Sequence, residues 1–265
     1  MTAAAQTDST KKEEADTIKI GGMVIIKKGG KNGKDGQDGN KNVVISSNRK
    51  YRSSNVRTNW WIVDLGFANY NDETAYGSAA AQAIAPGISS KDGLELRTGK
   101  SVNVNIWVFQ QRLNLIKHAV NLKYGLGVEL NNYRFDDERV HFEKSPTKIF
   151  IDPAYDGVEK NKLAADYVTV PLMLNFNFTP KKEKGFGLSA GVSGGYLYSA
   201  RQKIKIDDDK EKLRGNFDLR KWKLSYIGEL NLGPVKLYGS MASQSMWEKG
   251  LDITPYNVGV RLGGL

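Results

Sequence analysis

AVNLKYGLGVEL, residues 119–130, alternates without a break. Val120, Leu122, Tyr124, Leu126, Val128 and Leu130 fall on one face, and Asn121, Lys123, Gly125, Gly127 and Glu129 on the other. Successive strand side chains point to opposite faces, so a period of two predicts a β-strand. YVTVPLMLNFNF (167–178) repeats the pattern, with Val168, Val170, Leu172, Leu174, Phe176 and Phe178 opposite Thr169, Asn175 and Asn177. In GFGLSAGVSGGYLY (185–198) glycine and serine make up the polar face. WWIVDLGFANY (60–70) sets Trp61, Val63, Leu65 and Phe67 against Asp64 and Gly66. SVNVNIWVFQQRLNLI (101–116) changes phase at Leu113 and Leu115, which predicts a bulge. KWKLSYIGELNL (221–232), the weaker VKLYGSMASQSMW (235–247) and PYNVGVRLGG (255–264) bring the expected strands to eight.

The connections separate a membrane barrel from a soluble one. Strands two and three are joined tightly around Lys117-His118, four and five by TPKKEKG (179–185), and six and seven at Gly233-Pro234. The other connections, 71–100, 136–161, 207–218 and 248–254, are longer or more polar. Strict alternation of short and long connections is the pattern of outer-membrane barrels, with short turns on the periplasmic side. The predicted fold is all-β: an eight-stranded antiparallel up-and-down transmembrane barrel over 59–265. It follows a mostly disordered periplasmic segment over 1–58.

The two faces fit that reading. Leu122, Val128, Val170, Leu172 and Leu174 are expected to face lipid. Trp60, Trp61, Phe176, Phe178 and Phe186 are expected in an aromatic girdle at the periplasmic rim. Tyr133, Tyr167, Tyr196, Tyr198, Trp222, Trp247 and Tyr256 are expected at the outer rim. Eight strands leave an interior just wide enough to be filled by side chains. Asp64, Lys123, Glu129, Glu229 and Arg261 are expected there as a buried ionic network, since an unpaired buried charge is costly. Asp64 and Arg261, on the first and last strands, are placed to bridge the barrel seam.

Within residues 1–58, TIKIGGMVIIKK (17–28) holds one short strand-like piece. GGKNGKDGQDGNKN (29–42) reads as a mobile linker, with Asp35 and Asp38 only faintly similar to a calcium loop. The start MTAAAQTDST has no apolar core of a secretion signal. Ala3, Ala4 and Ala5 before Gln6 fit the tail of a cleavage site, and an ordinary polar N-terminus fits equally.

YVTVPLMLNF, WWIVDLGFANY and the final YNVGVRLGG resemble the outer-membrane β-barrel proteins of Bacteroidota, the PorT-like group. DTIKIGGMVIIKK resembles their periplasmic lead-in, and the likeness covers roughly residues 16–264. The resemblance implies a non-enzymatic barrel serving envelope architecture or accompanying a larger machine, including protein secretion. It supplies no catalytic residue. One departure is the end: many barrels finish on an aromatic residue, whereas this chain ends Gly264-Leu265.

The absence of cysteine excludes disulfides and thiolate chemistry, and two histidines, His118 and His141, leave little for metal or acid–base work. His141 follows Asp136, Asp137 and Glu138, a thin basis for the Asp/His proteolysis of some outer-membrane barrels. Asp207-Asp208-Asp209 reads as a solvated loop tip, with a divalent cation as the rival reading. There is no GxxxxGK[ST], HExxH or GxSxG motif. No cofactor or metal is expected. The net charge of +10 is scattered over tails and loops, which argues against nucleic acid. Outer-membrane lipid, lipopolysaccharide and envelope proteins are the expected partners. Lys50, Arg52, Lys181, Lys182 and Lys184 are expected to form a basic periplasmic collar. The leading function is a structural or accessory barrel docking with other envelope proteins. The rivals are a small pore or lipid- or ligand-binding barrel, and a soluble lipocalin-like binder.

Overall fold

The computed structural model describes residues 16–20, 23–27, 44–46, 54–180, 185–206 and 209–263, the first three stretches as backbone. The chain divides into two units, Met1–Arg52 and Ser53–Leu265. In the first, β1 (Asp16–Ile20), β2 (Met23–Lys27) and β3 (Val44–Ser46) form an antiparallel sheet in that order. The one strand expected within 17–28 is thus two, separated by the Gly-Gly pair at 21 and 22. The linker 29–42, with Asp35 and Asp38, lies outside the described residues, as does the basic collar of Lys50, Arg52, Lys181, Lys182 and Lys184.

The second unit runs β4 (Val56–Asp72), α1 (Ala79–Ile84), β5 (Val102–Ile116), β6 (Val120–Arg134), β7 (Val140–Lys144) and β8 (Thr147–Ile151). It continues through β9 (Lys160–Asn177), β10 (Phe186–Ile206), β11 (Asp209–Arg214), β12 (Trp222–Leu232), β13 (Val235–Ala242) and β14 (Ile253–Leu262). Eight of these strands form a closed antiparallel ring in the order β4-β5-β6-β9-β10-β12-β13-β14, with β14 pairing back onto β4. This is the expected up-and-down barrel. β7 and β8 form a separate hairpin, and β11 pairs with the far end of β10.

Two of the short turns use backbone conformations that match strand twist. Lys117 and His118 both have positive φ, 45° and 60°, and the Ala119 N–H donates to the Ile116 carbonyl at 2.8 Å. That is the two-residue turn with both central residues left-handed. The Asn114 side chain supports it by accepting from the His118 N–H at 2.6 Å. Gly233, at φ 72°, opens the turn between β12 and β13, where Pro234 follows with its fixed negative φ.

The barrel wall sorts its faces as a lipid-embedded wall must. Val170, Leu172 and Leu174 are exposed on the outside, with Leu122 and Val128 partly exposed on the same face. Their strand neighbours Asn121, Glu129, Thr169, Asn175, Ser189 and Ser193 are buried inside. Ten residues separate Val168 from Phe178, both exposed. At about 3.3 Å per residue and a tilt near 40° they cover about 25 Å of height, the thickness of an outer-membrane apolar band. A soluble binder would reverse these faces, so that alternative is set aside.

The bulge in β5 falls between Trp107 and Phe109, earlier than Leu113, and a second irregularity falls between Asn114 and Ile116. Asn103, Asn105 and Trp107 point inward before the first bulge, and Gln110 points inward after it. β4 inverts at the same level: Trp61 has φ 53°, and both Trp60 and Trp61 are exposed. Trp60 then lies against Phe109, ring centroids 5.9 Å apart. Phe176, Phe178, Phe186, Tyr196, Tyr198, Trp222 and Tyr256 are exposed on the barrel wall as well.

Trp247, Tyr133 and Tyr167 correct the expected girdle. β13 ends at Ala242, short of Trp247, whose backbone forms an isolated bridge with Leu219. Trp247 is 1% exposed, at the centre of an apolar core that all four long connections build together. Ile84, Ile88, Leu94 and Leu96 enter it from the connection after β4, and Phe135, Val140, Phe142 and Ile149 from the connection after β6. Phe217, Leu219, Met246 and Leu251 come from the last two, and Tyr133, Tyr167, Leu163 and Leu197 from the inner faces of the strands. Aromatic edges interlock there, Phe142 meeting Phe135 at 5.7 Å and Phe217 at 5.2 Å. The amide of Gln202 on β10 fastens the β7–β8 hairpin. It donates to the Val140 carbonyl at 2.8 Å and accepts from the Phe142 N–H at 3.1 Å. The end of the barrel with long connections is therefore closed by a packed cap.

Candidate functional site

The polar phases of the strands converge on one chain of charges inside the barrel. Arg261 on β14 faces Asp64 on β4 directly across the seam. Its Nε and Nη2 donate to the two Asp64 oxygens at 2.6 and 2.9 Å, a bidentate pair. Its Nη1 reaches Glu229 on β12 at 2.5 Å and Gln110 at 2.9 Å. Glu229 is also paired with Lys123 from β6, across the lumen. Glu129, six residues further along β6 than Lys123, pairs with Lys223 at 2.5 Å and accepts from Asn131 and Asn257 at 3.0 and 3.1 Å. All five residues expected in the lumen, Asp64, Lys123, Glu129, Glu229 and Arg261, lie there in two ion-paired groups, which the amides of Asn131, Asn103 and Asn105 join from Glu129 to Asp64.

Lys223 and Trp107 also lie in the lumen, outside the five residues expected there. Trp107 donates its indole N–H to Asp64 at 2.7 Å. The Lys223 ammonium also lies 4.4 Å from the centre of the Tyr167 ring. Beside it runs a ladder of amides: Tyr238 donates to Asn103 at 2.5 Å, and Asn103 donates to Asn131 at 2.8 Å and Asn105 at 3.1 Å. The period-two phase that Trp107 shares with Asn103 and Asn105 carries this signal in the sequence.

Among the ion-paired groups of the lumen, the three cations Lys123, Lys223 and Arg261 match the three anions Asp64, Glu129 and Glu229. Charges removed from water are tolerable only when paired and hydrogen-bonded, which is the arrangement here. Two glycines make room for it. A Cβ on Gly66 would come within 2.4 Å of the Tyr238 hydroxyl, and one on Gly259 within 2.3 Å of the Leu65 carbonyl. A cavity inside, lined by Asp64, Glu129, Thr169, Glu229 and Arg261, measures about 30 Å³. That is room for one or two water molecules. The Thr169 hydroxyl on its wall has no partner among the described residues.

Other candidate chemistry is dispersed. His141 stacks on Tyr155 at 4.8 Å, with Phe150 edge-on at 5.5 Å. Its acidic neighbours are engaged elsewhere: Asp137 with Arg139 at 2.8 Å, and Asp136 and Glu138 with Arg97 at 3.1 and 3.0 Å. These hydrogen bonds from Arg139 hold the Asp137 carboxyl below its ordinary range. His118 is confined to its turn. Asp207 and Asp208, and the side chain of Asp209, lie outside the described residues. Among the described residues no cluster of three His, Asp or Glu side chains is placed to hold a metal ion.

The comparison with curated proteins returned no match. A family model described as "Outer membrane protein beta-barrel domain" matches residues 61–240, from the tryptophan pair on β4 to the sixth residue of β13. That span covers seven of the ring's eight strands in whole or in most part, more than half of the chain. With a closed ring of eight strands, an apolar outer wall and a charged interior, the chain belongs to the outer membrane protein β-barrel domain family.

Proposed function

We propose that this outer-membrane barrel is a non-enzymatic structural or accessory component that docks with other envelope proteins, its N-terminal segment in the periplasm. The filled lumen carries the reading. A cavity of about 30 Å³ offers no route for a solute, and the cap closes one end above it. What such a barrel has left to work with is its wall, its connections and its N-terminal unit. The orientation rests on connection length, since short turns lie on the periplasmic side of such barrels. Val56, where β4 begins, pairs with Leu113, close to the Lys117-His118 turn. The chain therefore enters the barrel at the short-turn end. Membership of the PorT-like group of Bacteroidota rests on YVTVPLMLNF, WWIVDLGFANY and YNVGVRLGG. Membrane lipid, lipopolysaccharide and envelope proteins are the partner classes.

The test is purification of the full chain from native membranes in mild detergent, with planar-bilayer recording on the same material. The expected result is a protein partner in fixed proportion and conductance at background. A barrel that purifies alone and conducts ions would replace the accessory reading with the small-pore one.

A further inference from the structure

The upper ends of β9 and β10 carry an arrangement that strand pairing alone disfavours. Lys162 on β9 sits directly opposite Lys203 on β10, which sits opposite Lys212 on β11. On its other side Lys162 faces Arg134 of β6, so four cations lie in a row across four neighbouring strands. The next rung outward is Lys160, Lys205 and Lys210, and the next rung inward joins Arg201 to Arg214. Directly opposed strand side chains stand about 5 Å apart, and like charges there are destabilising. The inner faces of these segments fix the register. Leu163, Gln202 and Ile204 are buried under the cap, so the basic residues between them must point out.

Three cations of the patch have acidic partners: Arg201 with Asp166, Lys205 with Glu159, and Arg134 with Glu138 at 3.7 Å. Lys160, Lys162, Lys203, Lys210, Lys212 and Arg214 form no salt bridge among the described residues. The patch continues the lipid-facing surface of the same strands. Val168 and Val170 on β9 and Tyr196 and Tyr198 on β10 are exposed below it. Only three residues separate Tyr198 from Arg201, about 10 Å of strand. One molecule can therefore lay acyl chains on the apolar wall and reach the basic rows with its headgroup.

We infer that this face binds the phosphate groups of a phosphorylated glycolipid, the lipid A portion of lipopolysaccharide, in the outer leaflet. The inference rests on the proposed orientation, which puts the long connections outside the cell. Charge complementarity supports it: closely spaced phosphates bridging lysine rows remove the repulsion that the bare ladder carries. Scattered lysines on a solvated loop would not fall in register across four strands.

The experiment uses the full chain refolded in detergent and titrated with bis-phosphorylated lipid A, dephosphorylated lipid A or phosphatidylglycerol, with bound lipid counted by native mass spectrometry. Phosphorylated lipid A is expected to bind most tightly, and salt to weaken it. Lys162→Gln/Lys203→Gln/Lys212→Gln is expected to weaken it about 100-fold. The same variant should fold at least as well as the parent, because it relieves like-charge pairs. Single Lys203→Gln, with a smaller loss, serves where the triple variant does not fold. Unchanged binding in a folded variant overturns the inference, as does equal affinity for phosphatidylglycerol or dephosphorylated lipid A. Orientation is read separately. The chain has no cysteine, so Lys212→Cys provides a unique target for a membrane-impermeant maleimide on intact cells. Labelling only after lysis would overturn the orientation, and with it the glycolipid assignment, whatever the titration shows.

Discussion

Replacing Arg261 with methionine tests the claim that the lumen is held by balanced charge. The guanidinium touches two buried carboxylates, Asp64 at 2.6 and 2.9 Å and Glu229 at 2.5 Å. Two unit charges 4 Å apart interact by about 4 kcal/mol at an effective dielectric of 20. Desolvation offsets much of this in the intact network. In the variant the attraction is gone while the desolvation remains: Glu229 keeps Lys123, but Asp64 keeps only the neutral donors Trp107 and Asn105. Stranding one buried charge in this way costs about 3–5 kcal/mol. Adding Asp64→Asn restores neutrality, leaves the Lys123–Glu229 and Lys223–Glu129 pairs intact, and preserves an acceptor for the Trp107 indole. The double variant is therefore expected to regain more than half of the loss. The assay is urea unfolding of the barrel in phospholipid vesicles, followed by tryptophan fluorescence. A loss below about 1 kcal/mol for Arg261→Met, the size of an ordinary substitution, would refute the reasoning. So would a double variant no more stable than the single one.

Gly259→Ala should cost about 1–3 kcal/mol in the same assay, because the new methyl meets the Leu65 carbonyl at 2.3 Å and the Gly66 Cα at 2.5 Å. Trp247→Ala should loosen the cap by about 3–5 kcal/mol, read as faster protease cleavage of the long connections while the barrel keeps its folded gel mobility. Below the ordinary carboxylate range the Asp137–Arg139 pair should be lost. The folded carboxyl titrates lower than the unfolded one, so its small stabilisation is present above the unfolded value and disappears as pH falls through the folded one. Limited proteolysis of the β7–β8 region across that interval, parent against Asp137→Asn, checks it: only the parent should lose protection through this pair.

The wall was legible because it obeys one rule. A residue such as Leu172 or Asn175 is assigned to lipid or lumen by counting in twos, and a barrel of eight strands has no other place for either. Asp64 and Arg261 could be matched across the seam for the same reason. The cap was not legible, because its residues follow no period. Phe142, Phe217 and Trp247 come from three different connections and meet only after the ring has closed. Reading 235–247 as one strand puts Trp247 at a rim, whereas the chain leaves the sheet at Ala242. Lys162 and Lys203 alternate correctly in sequence, but their confrontation depends on the register between β9 and β10. A shift between Leu197 and Ser199, invisible in either strand alone, sets that register.

The last strand has to find the first among partners of similar shape, and here the choice of alignment is written in ionic and steric code. Sliding β14 by two positions would set Arg261 opposite Ile62 or Gly66, stranding a guanidinium against hydrocarbon or empty backbone. It would also part Gly66 from Gly259 and drive a neighbour's side chain into the notch that Tyr238 fills. Ring closure in this molecule thus proofreads itself: a misaligned cylinder is penalised at the very contact that completes it.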